Sequence, residues 1–326
     1  WVAHHLVHGF DKIILYYNDC DDGSGELLGE ISKYYPNVIV RENIVPADKA
    51  PQFWAAHNFA SSGLIVENDW MLWLDMDEFL VLGRFGPDVR TWLRRWGRRV
   101  AQREQQPMDG ICLQWRIMGD GGQRGLPDRQ ISDQTIGCAR KQMSMGRVIK
   151  TFFRFVPNTY ELSIHRPLFR GTGDFPLFVA PNLRRLDDTF WTSSLPGNRT
   201  ICRMRPHENA YAIGRINHYA VRTPELFTLK SRRPLGSTTS TNTRQQRARL
   251  NGQYYQIFNA NEIVDRSILD TEEARAAKIS EMLSIPAIRD AHQSCRVSTQ
   301  AKIDALTPED VSEALTLPGP RSGSLS

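Results

Sequence analysis

The stretch Trp70-Met71-Leu72-Trp73-Leu74-Asp75-Met76-Asp77-Glu78-Phe79-Leu80 constrains the fold more than any other part of this chain. A short, mostly apolar run of this kind reads as a buried strand. Three carboxylates arrive at its end, and an ionised carboxylate is costly to bury unless a positive group pairs with it. A divalent cation is one candidate, because Asp and Glu oxygens are hard ligands suited to Mg²⁺ or Mn²⁺. Asp75 and Asp77 are two apart, so on extended backbone they point to one face and Glu78 points to the other. The expectation is that Asp75 and Asp77 hold a metal that bridges the phosphates of a nucleotide, with Glu78 turned toward structure or ribose. The alternative is a solvated acidic turn after an ordinary strand.

The segments before this run alternate in type. Lys12–Tyr17 reads as a buried strand, Asn18–Ser24 as a polar loop, and Glu26–Tyr35 as a helix with Leu27, Leu28 and Ile31 inward. Asn37–Val40 reads as a second strand and Pro51–Val66 as a second helix. Strand, helix, strand, helix, strand predicts an α/β fold with a doubly wound sheet, in which ligands bind beyond the carboxyl ends of the strands. Asn18–Asp22 and Asp75–Glu78 both lie at such ends, which predicts one shared site. The opening residues, Trp1–Phe10, read as the later part of a helix that stops at Gly9, with its earlier residues expected upstream.

At 326 residues the chain suits one large α/β domain, alone or with an appendage. Its net charge of +5 suits an anionic substrate or lipid headgroups and does not call for nucleic acid. Five cysteines, Cys20, Cys112, Cys138, Cys202 and Cys295, are scattered without a C-x-x-C pair and read as reduced thiols. No apolar run reaches the roughly 18 residues of a membrane span, and no signal peptide is visible, so a cytoplasmic location is expected. In that setting the Asn198-Arg199-Thr200 sequon is accidental.

Residues 86–104 read as a helix capped by Asp88, with Val89, Trp92, Leu93, Trp96 and Val100 on one face. Arg90, Arg94, Arg95, Arg98, Arg99 and Arg103 cover much of the rest. One reading is a solvated basic face over a packed tryptophan stripe. Another is peripheral contact of the Arg90–Arg103 helix with an acidic membrane at its inner face. Nucleic acid is disfavoured, since no known module accompanies the basic residues. Further on, Gly110–Met118 and Val148–Phe155 read as strands, 181–210 as irregular, Ile216–Arg222 as a short strand and Pro224–Lys230 as a helix. Gly236–Arg247 reads as a mobile loop or lid. Asp270–Glu273 reads as a helix start running to Leu283, Thr307–Asp310 as another, and 318–326 as a disordered tail. The predicted organisation is a domain over 1–235, a C-terminal loop and helical appendage over 236–317, and the tail.

Taken in order, several segments resemble a known family. They are Trp1-x-x-His4-His5-x-x-x-Gly9-Phe10-Asp11-Lys12-Ile13, Tyr17-Asn18-Asp19-x-Asp21-Asp22-Gly23-Ser24, and Trp73-Leu74-Asp75-Met76-Asp77-Glu78-Phe79. Trp115-x-x-x-Gly119-x-x-Gly122, Lys150-Thr151 and His165-Arg166-Pro167 follow, and then Asn217-His218-Tyr219-x-x-Arg222-x-x-Glu225-x-Phe227-x-x-Lys230-Ser231-Arg232. The set resembles bacterial family-2-like glycosyltransferases, relatives of the family 92 transferases. The resemblance implies a GT-A-like doubly wound mixed sheet flanked by helices. It also implies transfer of a sugar, with inversion, from a UDP- or GDP-linked donor to a glycan or lipid-linked acceptor, with Mn²⁺ or Mg²⁺ as cofactor. Precursors of surface polysaccharide or lipopolysaccharide are the expected acceptors. Two departures stand out. The family usually opens with a strand and an Asn-Glu pair ahead of the first helix, which this chain does not show; without that strand a sheet keeps an unpaired ladder. Asp120 stands where a small polar residue is common.

Such chemistry needs three things. The leaving diphosphate needs positive partners: Asp75 and Asp77 are the expected metal ligands, with His218 a further metal or phosphate ligand. Lys150, His165, Arg166, Lys230 and Arg232 are the other basic candidates. Each has a plainer reading: Lys150 as partner of a carboxylate at the strand end, His165 and His218 as structural histidines, Lys230 and Arg232 as charges favoured at a helix C-terminus. The nucleotide needs hydrogen-bond partners, expected from Asn18, Asp19 and Asp21 unless that loop is only a self-stabilised Asx turn. The acceptor hydroxyl needs a general base. Asp120, Asp133, Glu161 and Asp174 are candidates, with Asp120 first because it sits in a Gly-rich turn after a strand. That turn is no phosphate-binding P-loop, since no Gly-Lys-Ser/Thr follows. Three rivals stand beside this reading. A haloacid-dehalogenase-like phosphotransferase needs Asp-x-Asp-x-Thr, whereas Glu-Phe-Leu follows here. A non-catalytic sugar- or nucleotide-binding descendant of a transferase is the second, and a basic scaffold acting through 90–103 the third.

Overall fold

The computed structural model describes residues 1–83, 86–140, 145–192, 211, 213–233, 236–239 and 250–317. Most of the irregular 181–210 stretch, residues 240–247 of the expected lid, the sequon, Cys202 and the tail lie outside the described residues.

In chain order the first half comprises α1 (Val2–Val7), β1 (Ile13–Tyr17), α2 (Ser24–Tyr34), β2 (Val38–Glu42), α3 (Pro51–Ala60), β3 (Trp70–Leu72), β4 (Glu78–Val81), α4 (Val89–Glu104) and β5 (Gly110–Ile117). There follow α5 (Ile131–Gln134), β6 (Gly137–Cys138), β7 (Ile149–Arg154), β8 (Tyr160–Glu161), β9 (Leu168–Phe169), β10 (Phe178–Val179) and α6 (Thr189–Thr192). The rest comprises β11 (Arg215–His218), α7 (Pro224–Ser231), α8 (Gly252–Phe258), β12 (Ile263–Val264), α9 (Glu272–Leu283), α10 (Pro286–Asp304) and α11 (Pro308–Leu315). Local chemistry explains several ends. The Asp88 carboxylate accepts from Thr91 N at 2.7 Å to start α4, and Thr307 with Asp310 forms a capping box on α11. Gly9 takes φ +78°, the left-handed conformation in which the chain leaves α1.

The fold is mixed α/β. Its main sheet runs β3-β7-β5-β11-β4, with β10 beside the first residues of β5. β5 and β11 are parallel, while β7 and β4 run against their neighbours. β1 and β2 form a separate parallel pair, Ile13 opposite Val38 through Tyr17 opposite Glu42. The expected single strand carrying the acidic motif is in fact two. β3 stops at Leu72, and β4 begins at Glu78 on the opposite edge of the sheet. Crossing four strand spacings of about 4.8 Å takes about 19 Å, which is near the reach of Trp73–Asp77 at about 3.4 Å per residue. The sheet is accordingly curled, and the acidic residues sit in the crossing.

Helix α4 packs its stripe beneath the sheet. Trp92 is fully buried among Leu113, Phe152 and Ile216, and its indole donates to Ile213 O. Arg94, Arg95, Arg98 and Arg99 face outward. The apolar face of α4 is thus spent on the core, which leaves only its charge for any surface it meets. The C-terminal region is helical and is built into the cores. Tyr255 and Phe258 of α8 join the main one, and Met282 and Ile288 join Ile13, Leu15 and Val38 under the β1–β2 pair. Helix α10 was not foreseen. Among the described residues no helix is long and apolar enough to cross a membrane.

Helix α1 buries three histidines. His4 Nε2 lies 2.7 Å from Leu80 O, His8 Nδ1 lies 2.8 Å from His4 O, and the tilted His4 and His8 rings lie 4.2 Å apart. Burial first, and then mutual repulsion, holds His4 and His5 well below the ordinary histidine range; burial lowers His8 too. Unfolded, all three take up protons near pH 6.5. Below that pH the unfolded chain binds more protons than the native one, so stability falls. The expected result is a thermal midpoint that drops as the pH falls from 6.5 to 5. Each histidine that stays neutral contributes a slope of about 1.4 kcal/mol per pH unit. A midpoint unchanged over that window would contradict the buried neutral state.

Candidate functional site

The crossing segment is held by Trp1, by its own turn and by the residue after β11. Trp1 Nε1 donates to Glu78 O at 2.8 Å and to Asp75 O at 3.1 Å. Glu78 N donates to Asp75 O at 3.0 Å, and Asp75 N donates to Glu78 Oε2 at 2.9 Å. Tyr219 N, just past β11, donates to Asp77 O at 2.8 Å. A period-two alternation does not survive such a turn. Glu78 therefore shares a partner with Asp75 instead of pointing away from it.

That partner is Lys150, wholly buried on β7. Its Nζ lies 3.2 Å from Asp75 Oδ2, 3.1 Å from Glu78 Oε2 and 2.9 Å from Ile164 O. Burial works against the ammonium, but Asp75 and Glu78 outweigh it and hold Lys150 above the ordinary lysine range. Burial pushes the Glu78 carboxyl up to about 8, helped by Asp75 and against the pull of Lys150. Among the described residues, Glu78 Oε1 has no hydrogen-bond partner. Gln52 Nε2, from the first turn of α3, donates to Asp75 Oδ1 at 2.7 Å.

Asp77 has a lysine of its own. Lys230 Nζ, near the end of α7, lies 2.7 Å from Asp77 Oδ2 and donates to Ala220 O at 2.9 Å. His218 Nε2 lies 3.6 Å from Asp77 Oδ1. Burial alone would raise the Asp77 pKa, yet Lys230 and then His218 keep it well below the usual carboxylate range. The His218 ring sits 4.2 Å from Trp115 and 5.6 Å from Phe258, and among the described residues its Nδ1 has no hydrogen-bond partner. His165 is buried edge-on against Trp115, with its Nδ1 3.1 Å from Ile149 O. Burial, and then Lys150, holds it well below the ordinary range, so it is neutral.

Asp75, Asp77, Lys150, His218 and Lys230 are thus brought together, with His165 close behind. The remaining candidates lie elsewhere. Arg232 pairs with Asp310 of α11 and faces solvent. Asn18 donates to Asp19, and Asp21 pairs with Lys302 of α10 at 2.6 Å and with Arg233 at 3.4 Å. Asp22 makes the Asx-type contact with Ser24 that opens α2. This loop reaches the acidic turn only indirectly, through Arg233 and α7. Asp120 is unsuited to be a base, because both of its oxygens are saturated. Gly122 N and Asn261 Nδ2 bond Oδ1, while Tyr255 Oη and Asn259 Nδ2 bond Oδ2. Asp133 and Glu161 are each paired with an arginine, Arg275 and Arg170. Trp1, Gln52 and the inward turn of Glu78 were missed, since no spacing rule links residues that meet only across the fold.

Among the described residues no group of three or more His, Cys, Asp or Glu is gathered to hold a metal. What the protein offers is the Asp77–His218 pair, with the carboxylate of Asp75 already engaged by Gln52 and Lys150. That donor set fits a hard divalent ion that takes one or two protein ligands and completes its shell with water and substrate phosphates.

No family model, no curated protein and no solved structure matches the chain.

Removing the amine of Lys150 leaves Asp75 and Glu78 without their cation. Lys150→Met is expected to cost about 3–5 kcal/mol in urea unfolding. Combining it with Glu78→Met should recover much of that loss, because the buried carboxyl goes too. An equal loss in the single and double variants would show that the pairing does not matter.

Proposed function

We propose that this chain is a GT-A-type glycosyltransferase. It would move a sugar from a UDP- or GDP-linked donor to a glycan or lipid-linked acceptor, with inversion. One observation carries the reading: Asp75 and Asp77 lie in a turn at the sheet end, each neutralised by its own lysine, with a histidine beside Asp77. Such a site matches a ligand that carries negative charge and releases more of it. Lys150 reaches Asp75 and is wholly buried, while Lys230 reaches Asp77 and keeps a third of its side chain open to solvent. As the bond from the anomeric carbon to the donor phosphate breaks, charge develops on the leaving diphosphate. Preplaced ammonium groups stabilise that charge more than the ground state. Mg²⁺ or Mn²⁺, bound by Asp77 and His218 beside Asp75, would supply Lewis-acid neutralisation of the same diphosphate. The Asn18–Asp21 loop lies on the nucleoside side in this reading. Neutral His165 and Trp115 back the His218 ring and orient it. Asp120 keeps the Gly-rich turn in place and takes no proton.

The protein works in the cytoplasm in this reading, on precursors of surface glycans. The basic face of α4 rests on the inner membrane surface through charge alone, since its apolar face is buried. Nucleic acid has no part. A second reading, a transferase-derived binding protein without turnover, draws on the separation of β1–β2 from the main sheet.

Thermal melting with Mn²⁺ and a panel of nucleoside diphosphates tests the proposal. A metal-dependent rise with UDP or GDP is expected, corresponding to about 2.7 kcal/mol at a hundredfold excess over Kd. Asp77→Asn should abolish that rise and lower transfer by about 10²–10³-fold. Wild-type transfer by Asp77→Asn would overturn the assignment. A nucleotide shift without any turnover would select the binding-protein reading.

A further inference from the structure

Two buried arginines share one carboxylate on the far face of the main sheet. Arg116, near the end of β5, lies opposite Asn217 of β11, and Arg215 begins that second strand. Successive residues of a strand point to opposite faces. Trp115 and His218 turn toward the candidate site, so Arg116, Arg215 and Asn217 turn away from it. Arg116 Nε donates to Cys138 Sγ at 3.2 Å, and Arg215 Nε donates to Asn217 Oδ1 at 3.0 Å. Asp265 Oδ2 accepts from Arg215 Nη2 at 2.7 Å and lies 3.8 Å from Arg116 Nη2. The other oxygen of Asp265 is taken by Ser267, through its N–H and its hydroxyl. The Tyr211 ring centre lies 4.7 Å from the Arg116 guanidinium and 5.9 Å from that of Arg215, and the Tyr211 hydroxyl donates to Trp115 O.

The charges in this cluster do not balance. Burial raises the Cys138 thiol, which stays neutral and supplies no charge. Burial lowers Arg215, Asp265 pulls it back, and Arg116 lowers it again. An arginine keeps its proton even so. Among the described residues Asp265 is the one carboxylate within ion-pair reach of either guanidinium, so one positive charge is left over. A buried cation without a counter-charge is costly. The cluster is not sealed, either. The Arg116 and Arg215 side chains are 9% and 8% exposed, and that of Asp265 is 16% exposed. Among the described residues no hydrogen bond reaches Nη1 of either arginine, and neither Nη1 is wholly buried. Two donor ends therefore meet solvent beside a single surplus charge.

We propose that Arg116 and Arg215 form a binding site for a carboxylate group. Its single negative charge cancels the surplus, and its two oxygens suit guanidinium donors. The dianion of a phosphate monoester exceeds the surplus and is repelled by Asp265. The site lies on the other face of the sheet from His218 and needs neither metal nor nucleotide. The proposal is independent of the sugar-transfer reading.

Thermal melting of the whole chain at pH 7 and fixed ionic strength tests it, with sodium acetate replacing sodium chloride. A ligand that binds only the native state raises the midpoint, so a saturable rise with acetate is expected. Glucuronate and neutral glucose form a second comparison. A rise with glucuronate at a tenfold lower concentration than acetate places the carboxylate on a sugar, and equal responses place it on a small acid. Arg116→Gln leaves Arg215 and Asp265 as a balanced pair. It is expected to keep the midpoint seen in chloride and to lose the acetate response. No response in the unsubstituted chain, an equal response in Arg116→Gln, or a response to inorganic phosphate alone would overturn the proposal. Should Arg116→Gln not fold, side-chain NMR of the unsubstituted chain reads the same site. The Nε–Hε signals of Arg116 and Arg215 are expected to move with acetate while that of exposed Arg94 stays, and unmoved signals would overturn the proposal.

Discussion

Lys150 sits under the centre of this molecule's chemistry. It is a fully buried ammonium on a central strand, and it is tolerable there only because Asp75 and Glu78 converge on it from a turn crossing the sheet end. The dependence is mutual, since the buried ammonium is costly without its carboxyl partners and removing it leaves them without their cation. Lys150 ties β7 to the crossing. Glu78 ties the crossing to β4, and its carboxylate also accepts from the amide of Asp75. The curl of the sheet, which brings β3 and β4 close enough for a short segment to link them, is thereby pinned at its mouth.

The surroundings follow from that pin. Asp75 is committed to Lys150 and Gln52, and Asp77, the less exposed of the two, is met by Lys230 and His218. Lys230 stands on α7, whose neighbour Arg233 holds Asp21 and Asp22. The loop after β1 is thus linked to the acidic turn through one helix. On the other side, Trp1 clamps the turn from α1. The three buried histidines of that helix and the Arg275–Asp133 pair beside them bind it to β4 and α9. Elements from both ends of the chain therefore converge on one turn, and the C-terminal helices are part of the support.

Much of the local structure was legible in the residues. β1, α2, β2, β5, β7 and α7 lie close to where apolar periodicity places them, and Asp88 caps α4 as its position suggests. The tryptophan stripe of α4 is core, as helical spacing implies. Less legible were features set by distant partners. The apolar run before the acidic motif reads as one strand with the carboxylates at its end; that the chain crosses over Trp73–Asp77 to a second strand on the opposite edge follows from sheet curl, which no local pattern encodes. Asp120 reads as a free carboxylate in a glycine turn, yet Tyr255, Asn259 and Asn261 close over it from more than a hundred residues away. Helix α10 went unread because its apolar positions are sparse.

By itself the sequence determined which residues are apolar at which period, and so which segments become strands and helices. It also determined that costly carboxylates gather at Asp75–Glu78 and must find cations. It did not determine which cations. Lys150, Lys230 and Arg232 are equivalent on composition. Only tertiary structure gives the first to Asp75 and Glu78, the second to Asp77 and the third to Asp310 on α11. The physical reason is range. Secondary structure answers to neighbours within a few residues, whereas a buried charge answers to whatever the folded chain brings within about 4 Å.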